Sequence, residues 1–284
     1  EELDAIKLNR NEIVQGIFLQ HTFNYANKTT SILGIRYDHN SEYGSFITPR
    51  IHLKHKIGEH TIARASFGKG VRTSNIIAEN IGYLAESRDI VITETLKPEE
   101  AWNYGFHINH DIHFGDEKEL SLNVDYYRTS FENQVVIDIE SDNNAILVYN
   151  LDGQSFSNSY QVEVSSEVIP RLDILTAFRF NDVRVEQFGE LKQKPLTSRV
   201  KGLLQISYAT NYNIWQFDVT NQFVGKSRLP DLTYLPDDLK PEAESKSFYM
   251  LHVQITKRFK YFDVYAGAEN LTNFTQKNPI IDPQ

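Results

Sequence analysis

The sequence predicts an all-β chain, an antiparallel up-and-down β-barrel of the transmembrane kind, and three observations carry that prediction. Apolar and polar residues alternate with a period of two along segment after segment. No stretch carries the 3.6-residue stripe of an amphipathic helix, and no window approaches the roughly 20 apolar residues of a spanning helix. The connections between alternating segments are short and long in turn, as the two rims of a membrane barrel require.

The alternation is clearest from Ala101 to Phe114. There Trp102, Tyr104, Phe106, Ile108, Ile112 and Phe114 share one parity, and Asn103, Gly105, His107, Asn109, Asp111 and His113 share the other. A turn at Gly115 to Lys118 leads into Leu120, Leu122, Val124 and Tyr126, alternating with Ser121, Asn123, Asp125 and Tyr127, so the pair reads as a long hairpin. The pattern recurs at Tyr160, Val162, Val164 and Val168, and again at Leu251, Val253 and Ile255.

Short links are expected at Asn27 to Thr29, Gly58 to His60, Gly115 to Lys118, Pro170 to Arg171, Asn211 to Asn213 and Lys260 to Tyr261. Longer ones are expected at Asp38 to Phe46, Arg72 to Glu100, Phe131 to Ser155, Glu186 to Pro195 and Arg228 to Ser247. This leaves about twelve strands of roughly 10 to 14 residues, longer than the five or six usual in soluble sheets. Strands of that length suit a tilted bilayer crossing, with the short turns on one side and the loops on the other.

Composition agrees with this reading and narrows the function classes. The chain has 284 residues, 40% of them hydrophobic, and 29 Lys plus Arg against 38 Asp plus Glu leave a formal charge of −9. An acidic chain disfavours nucleic acid as a partner, since phosphate contacts need a basic face. Mean hydropathy is −0.44, which alternate wetting of strand faces produces without excluding a membrane. The absence of cysteine excludes a disulfide framework, a Cys-ligated zinc site and a thiol nucleophile. Glu1 is not a start and no signal peptide is visible, so the chain reads as an internal segment of something longer.

Tyr25, Phe114, Trp215, Phe217, Phe223, Phe259 and Phe262 sit near the expected turns or loops, where a barrel places its aromatic girdles, although aromatics also close soluble sheet cores. Arg64, Gln205, Asp218, Thr220, Gln254 and Asp263 on the opposite parity imply a wet interior. A sandwich would turn such groups to solvent, but it does not readily accommodate about twelve long strands without Greek-key crossings.

Motifs in order along the chain carry a family resemblance. Gly34-Ile-Arg36-Tyr-Asp38, Tyr43-Gly44, Thr48-Pro49-Arg50, Arg64-Ala-Ser66-Phe-Gly68-Lys-Gly70-Val-Arg72, Leu96-Lys97-Pro98-Glu99, Trp102-Asn103-Tyr104-Gly105 and Glu269-Asn270-Leu271-Thr272-Asn273 resemble the barrel of TonB-dependent outer-membrane receptors. Pro195-Leu-Thr-Ser-Arg199, Gly225-Lys-Ser-Arg228-Leu-Pro230 and Phe274-Thr-Gln276 resemble the wording of Bacteroidetes-type receptors. The resemblance implies a barrel of about 22 strands enclosing a plug. It departs from the family in carrying no plug, coupling box or early strands and in stopping at Pro283-Gln284. Residues 1–284 are therefore expected to be one partial barrel domain, truncated at both ends, with two unpaired edges that favour aggregation in isolation.

The resemblance further implies a transporter in the Gram-negative cell outer membrane, not an enzyme, with no cofactor. It takes up a scarce ligand of siderophore, haem, cobalamin or glycan type. The implied partners are outer-membrane lipid, the TonB–ExbB–ExbD energy-coupling complex acting through the plug, the small-molecule or oligomeric ligand, and a surface lipoprotein, with no nucleic acid among them. Ligand contacts are expected from the loops Arg72 to Glu100 and Phe131 to Ser155. Two other readings are a passive channel or adhesin-like barrel without coupling, and a soluble all-β binding protein.

Site candidates from the residues themselves are few. Arg36, Arg50, Arg64 and Arg72 are inward on adjacent strands, and two readings compete: structural pairing with a plug or with carboxylates such as Asp38, Glu12 or Glu79, or attraction of an anionic ligand such as a ferric chelate. His107, His110 and His113 do not make a metal site, because strand parity turns His110 to the other face; His52 and His55 fail likewise. Asp138, Glu140, Asp142, Asn143 and Asn144 have the hard oxygens of a calcium loop but lack the EF-hand spacing, so a solvated loop is expected. The same holds for Asp231, Asp237, Asp238, Glu242 and Glu244. Gly68-Lys69-Gly70 is expected to open a loop and not a helix, so no phosphate cradle forms.

Overall fold

The computed structural model describes residues 11–85, 87–114, 118–142, 144–187, 189–231 and 242–276. Its wall is built from β1 (Val14–Tyr25), β2 (Thr29–Asn40), β3 (Gly44–Lys56) and β4 (Thr61–Arg72). After a loop carrying α1 (Ile76–Glu79), a 3-10 turn at Ile81–Ala85 and β5 (Asp89–Ile92) come β6 (Glu99–Phe114) and β7 (Lys118–Asn133). A second loop carries β8 (Val135–Asp138) and β9 (Ala145–Asn150), and the wall resumes with β10 (Ser155–Ile169) and β11 (Leu172–Gln187). The short β12 (Glu190–Gln193) folds back on β11, followed by β13 (Val200–Ala209), β14 (Trp215–Val224), β15 (Phe248–Arg258) and β16 (Asp263–Ala268).

Twelve strands pair in the order β1-β2-β3-β4-β6-β7-β10-β11-β13-β14-β15-β16, every pair antiparallel. This is the up-and-down meander expected of a barrel, with no Greek-key crossing. The expected short links all fall between paired neighbours; residues 115–117 of one lie outside the described residues. One expected long link is corrected: β2 runs to Asn40 and β3 starts at Gly44, so the connection within Asp38 to Phe46 is a tight turn. Gly44 has φ +82, a left-handed conformation that glycine adopts without steric cost, and Asn40 Oδ1 accepts from the Glu42 and Tyr43 amides. Gly68-Lys69-Gly70 is likewise corrected from the opening of a loop to the interior of β4.

The register assigns the two faces. Ile17, Leu19 and Phe23 of β1, Leu33 and Ile35 of β2 and Ile47, Ile51 and Leu53 of β3 share one face, and each is between 42% and 73% exposed. Such exposure is natural only against lipid. Phe114 and Tyr104, ten residues apart on β6, are separated by about 33 Å along the strand. At a tilt near 40° that is about 25 Å along the membrane normal, the height of an apolar barrel band. Near the loop-side end of this band, Phe67, in register with Tyr104, stacks on Trp102 at 4.8 Å, and Tyr126–Tyr160 and Phe223–Tyr249 pair at 4.9 Å each, forming an aromatic row on neighbouring strands. Tyr25, Phe114, Trp215, Phe259 and Phe262 mark the opposite, short-turn rim.

No described helix is long and apolar enough to cross a membrane. The described apolar residues that are fully enclosed lie mostly outside the wall: Ile76, Val136, Ile139, Ile146 and Val148 are 0% to 8% exposed and belong to the two long loops. Those loops build a second sheet, with β5 parallel to β9 and β8 antiparallel to it. A wall one strand thick buries little by itself, so the hydrophobic core of this chain sits in its cap.

Candidate functional site

The face opposite the apolar band carries Arg36, Arg50, Arg64 and Arg72, as parity predicts. Arg36 lies flat on the wall, with Nε 2.6 Å from Asp38 Oδ2 and Nη2 2.7 Å from Asp38 Oδ1. Gly16 on β1 makes this possible, since a Cβ there would stand 2.7 Å from Arg36 Nη2 and 2.1 Å from Asp38 Oδ1. Arg50 crosses Gly34 in the same way and donates to Gln20 Oε1 at 2.6 Å. Arg72 binds Glu99 by two hydrogen bonds and approaches Glu79 at 3.1 Å. The structural pairings foreseen with Asp38 and Glu79 are therefore present. Glu12 accepts from Asn40 Nδ2 at 2.5 Å and from Thr73 Oγ1 at 3.3 Å.

Arg64 differs from the other three. It pairs in register with Lys54 on one side and His107 on the other, and like charges directly opposite repel. Among the described residues neither Arg64 nor Lys54 has a carboxylate within ion-pair distance. Together with Gln20, Arg50, His52 and Tyr127 they line a recess of about 930 Å³ in the lumen face. Its one acid, Asp125, is engaged by His107 Nδ1 at 2.8 Å. Gly105 opens the floor: a Cβ there would lie 2.6 Å from the Tyr127 ring. Arg50, Lys54 and Arg64 thus present three positive charges to a recess that Ile32, Leu53 and Phe106 also line, and such a recess can attract an anion. Lys54 is the member that sequence reading missed, although it shares parity with Arg50 four residues earlier.

Histidine geometry keeps to the parity argument. His107 faces the lumen, whereas His110 lies on the other face with Nδ1 2.8 Å from Thr61 Oγ1. No cluster able to hold a metal ion occurs among the described residues.

The expected solvated acidic loop is corrected. Asp138 is 1% exposed and accepts from the Glu140 and Ser141 amides, from Ser141 Oγ at 2.5 Å and from the Tyr149 hydroxyl at 3.3 Å. Burial, reinforced by the neighbouring Asp138 charge, pushes the Tyr149 hydroxyl up to about 12. Asp142 accepts from the Asn144 and Ala145 amides, and Glu140 binds Arg228 from a third long loop. The carboxylates are consumed in fixing the cap, and Asn143 lies outside the described residues. In the second acidic group Glu244 pairs with Lys226 at 3.2 Å and the Asp231 amide donates to Glu140 Oε1 at 2.5 Å, while Asp237 and Asp238 lie outside the described residues.

The sequence model of the family described as "TonB dependent receptor-like, beta-barrel" matches residues 7–271. No curated protein matches the chain. Solved structures are similar in fold. A variant of the ferric enterobactin receptor PfeA from Pseudomonas aeruginosa aligns with TM-score 0.69 and 15% identity, over 92% of this chain and 40% of that one. The siderophore receptor PirA from Pseudomonas aeruginosa aligns with TM-score 0.63 and 13% identity, over 96% and 44%. The FrpB iron transporter from Neisseria meningitidis aligns with TM-score 0.66 and 14% identity, over 93% and 40%. The chain thus spans less than half the length of these proteins.

Proposed function

Because the chain belongs to the TonB-dependent receptor β-barrel family, whose members are outer-membrane transporters and not enzymes, we propose that it forms about half of the wall and much of the loop cap of an importer for a scarce ligand too large for porins. Energy would come from the TonB–ExbB–ExbD complex through a plug seated in the lumen. The observation that carries this reading is the two-faced wall, an apolar band of about 25 Å on one side and a wet, charged face on the other. Among siderophore, cobalamin and glycan ligands, an anionic iron chelate is favoured. The recess around Arg50, Lys54 and Arg64 supports that choice, and the solved neighbours are named for ferric enterobactin, siderophores and iron.

Growth and labelled-ligand uptake of a deletion strain under separate iron, cobalamin and glycan limitation tests the assignment. The expected result is a defect under iron limitation alone, with uptake abolished by a protonophore. Uptake that persists without the coupling complex sinks active transport in favour of a passive channel.

A further inference from the structure

Directly above the aromatic row, the lipid-facing side of β7, β10, β11 and β13 turns basic. Arg128 stands two residues beyond Tyr126 on β7, about 7 Å along the strand toward the loops. In register it pairs with Tyr104, so it stands at the loop-side edge of the apolar band, where the lipid headgroup region begins. Its guanidinium lies 4.6 Å from the centre of the Phe156 ring, and Nη1 donates at 3.0 Å to Asn158 Oδ1, which is itself held by the Tyr126 hydroxyl at 3.3 Å. Asn158 is only 8% exposed, so the group orienting Arg128 is locked in place. On the next strands Arg199 covers the Phe180 ring at 5.3 Å.

Neither cation is neutralised within the described residues. The one nearby acid, Asp182, is taken by Arg184 at 2.9 Å. Further toward the loops, on β4, β6 and β7, the collar is built differently: Lys69 is enclosed by Glu100 at 2.6 Å and Glu132 at 2.7 Å. One arc of the collar is therefore balanced or acidic, and the other keeps two free positive charges, each stacked on an aromatic ring with most of its donors unused. A guanidinium fork held in that way matches the oxygens of a phosphate.

We propose that the Arg128–Arg199 arc is a docking site for an anionic lipid headgroup, binding its phosphate and seating the acyl chains against the Tyr126–Tyr160–Phe180 row. The proposal rests on the outer-membrane reading, because a lipid must meet this face. Arg128 shares the face of Tyr126, away from the lumen, and the Arg199 guanidinium lies against the Phe180 ring of that same face, so a ligand in transit through the lumen does not meet Arg128.

The intact receptor that carries this chain would be purified in mixed micelles containing phosphatidylglycerol or phosphatidylcholine, and retained lipid read by native mass spectrometry. The expected result is preferential retention of phosphatidylglycerol, falling roughly fivefold for each arginine removed. Arg128→Gln with Arg199→Gln should abolish the preference, and Lys69→Gln should leave it intact. Should the double variant fail to insert, Arg199→Gln alone reads the smaller loss, because that side chain rests on a ring and ties no strands together. Equal retention of the two lipids, a preference that survives the substitutions, or displacement of the lipid by excess inorganic phosphate overturns the site. Failure of the underlying reading looks different, since the receptor would then be absent from detergent-extracted outer membrane altogether.

Discussion

Arg228 grips Glu140 at both carboxylate oxygens, Nη1 to Oε1 at 2.8 Å and Nη2 to Oε2 at 2.7 Å, across 88 residues of sequence. Arg228 Nε also donates to the Gln193 carbonyl at 2.8 Å, so one side chain joins three loops. With Glu140 only 12% exposed, removing the cation strands a partly buried charge. Arg228→Ala is expected to cost about 2 kcal/mol of local cap stability, as charged hydrogen bonds of this kind do. Hydrogen exchange should show faster opening at Ile146 and Val148 with no change in the wall strands.

The cap should also loosen in alkali. Tyr149 ionises near 10 when solvated and near 12 in place. The stability it supplies is complete below about 10 and is lost as pH rises through about 12, because the opened cap releases the proton first. Protection of β8 and β9 measured between pH 9 and 12 should fall over that window in the wild type. Tyr149→Phe should remove that part of the decline, at the cost of the hydrogen bond to Asp138.

The four arginines should separate into two classes. Arg72→Ala leaves Glu99, 7% exposed, without its cation and should lower barrel stability by about 3 kcal/mol. Arg36→Ala, also in an internal pair, should lower stability without touching ligand affinity. Arg50→Gln, Lys54→Gln and Arg64→Gln together should weaken uptake and reduce its sensitivity to salt, while leaving the melting temperature near wild type. Equal affinity in the triple variant would remove the recess from the transport path.

Gly105 and Tyr127 give a packing test. An added Cβ would stand 2.3 Å from Ser66 Oγ and 2.6 Å from the Tyr127 ring, so both side chains must move. Gly105→Ala should cost about 1 to 3 kcal/mol by overpacking. Heat-modifiability on a gel reads that loss, and Gly105→Ala with Tyr127→Ser should recover the part due to the ring, the Ser66 contact remaining.

How much of this was legible beforehand follows from the range of each interaction. Strand parity placed Arg64, Gln205, Asp218 and Gln254 on the wet face, and the register pairs Gln205 with Thr220 and Asp218 with Gln254 there. Parity depends only on the two-residue pleat, so it needs no knowledge of neighbours. The partners did need it: Arg50 finds Gln20 30 residues away and Arg72 finds Glu99 27 residues away. The tight turn after Asn40 was misjudged because polar residues near a strand end read as loop, whereas cross-strand pairing carries β2 and β3 further.

The sequence by itself determined the all-β class, the up-and-down order, the short turns of one rim and which side of each strand is apolar, since alternation and turn chemistry act within a few residues. Only the tertiary structure decided that the acidic loop is a cap bolted by Asp138 and Glu140, that Arg36 and Arg72 are neutralised, and that Arg50, Lys54 and Arg64 share an open recess. Those outcomes turn on whether opposite charges meet. Short segments such as β5 and β9, four and six residues long, carry no period strong enough to reveal their parallel pairing. Charge compensation and non-local sheet formation are properties of distance in space, and strand register alone converts sequence separation into that distance.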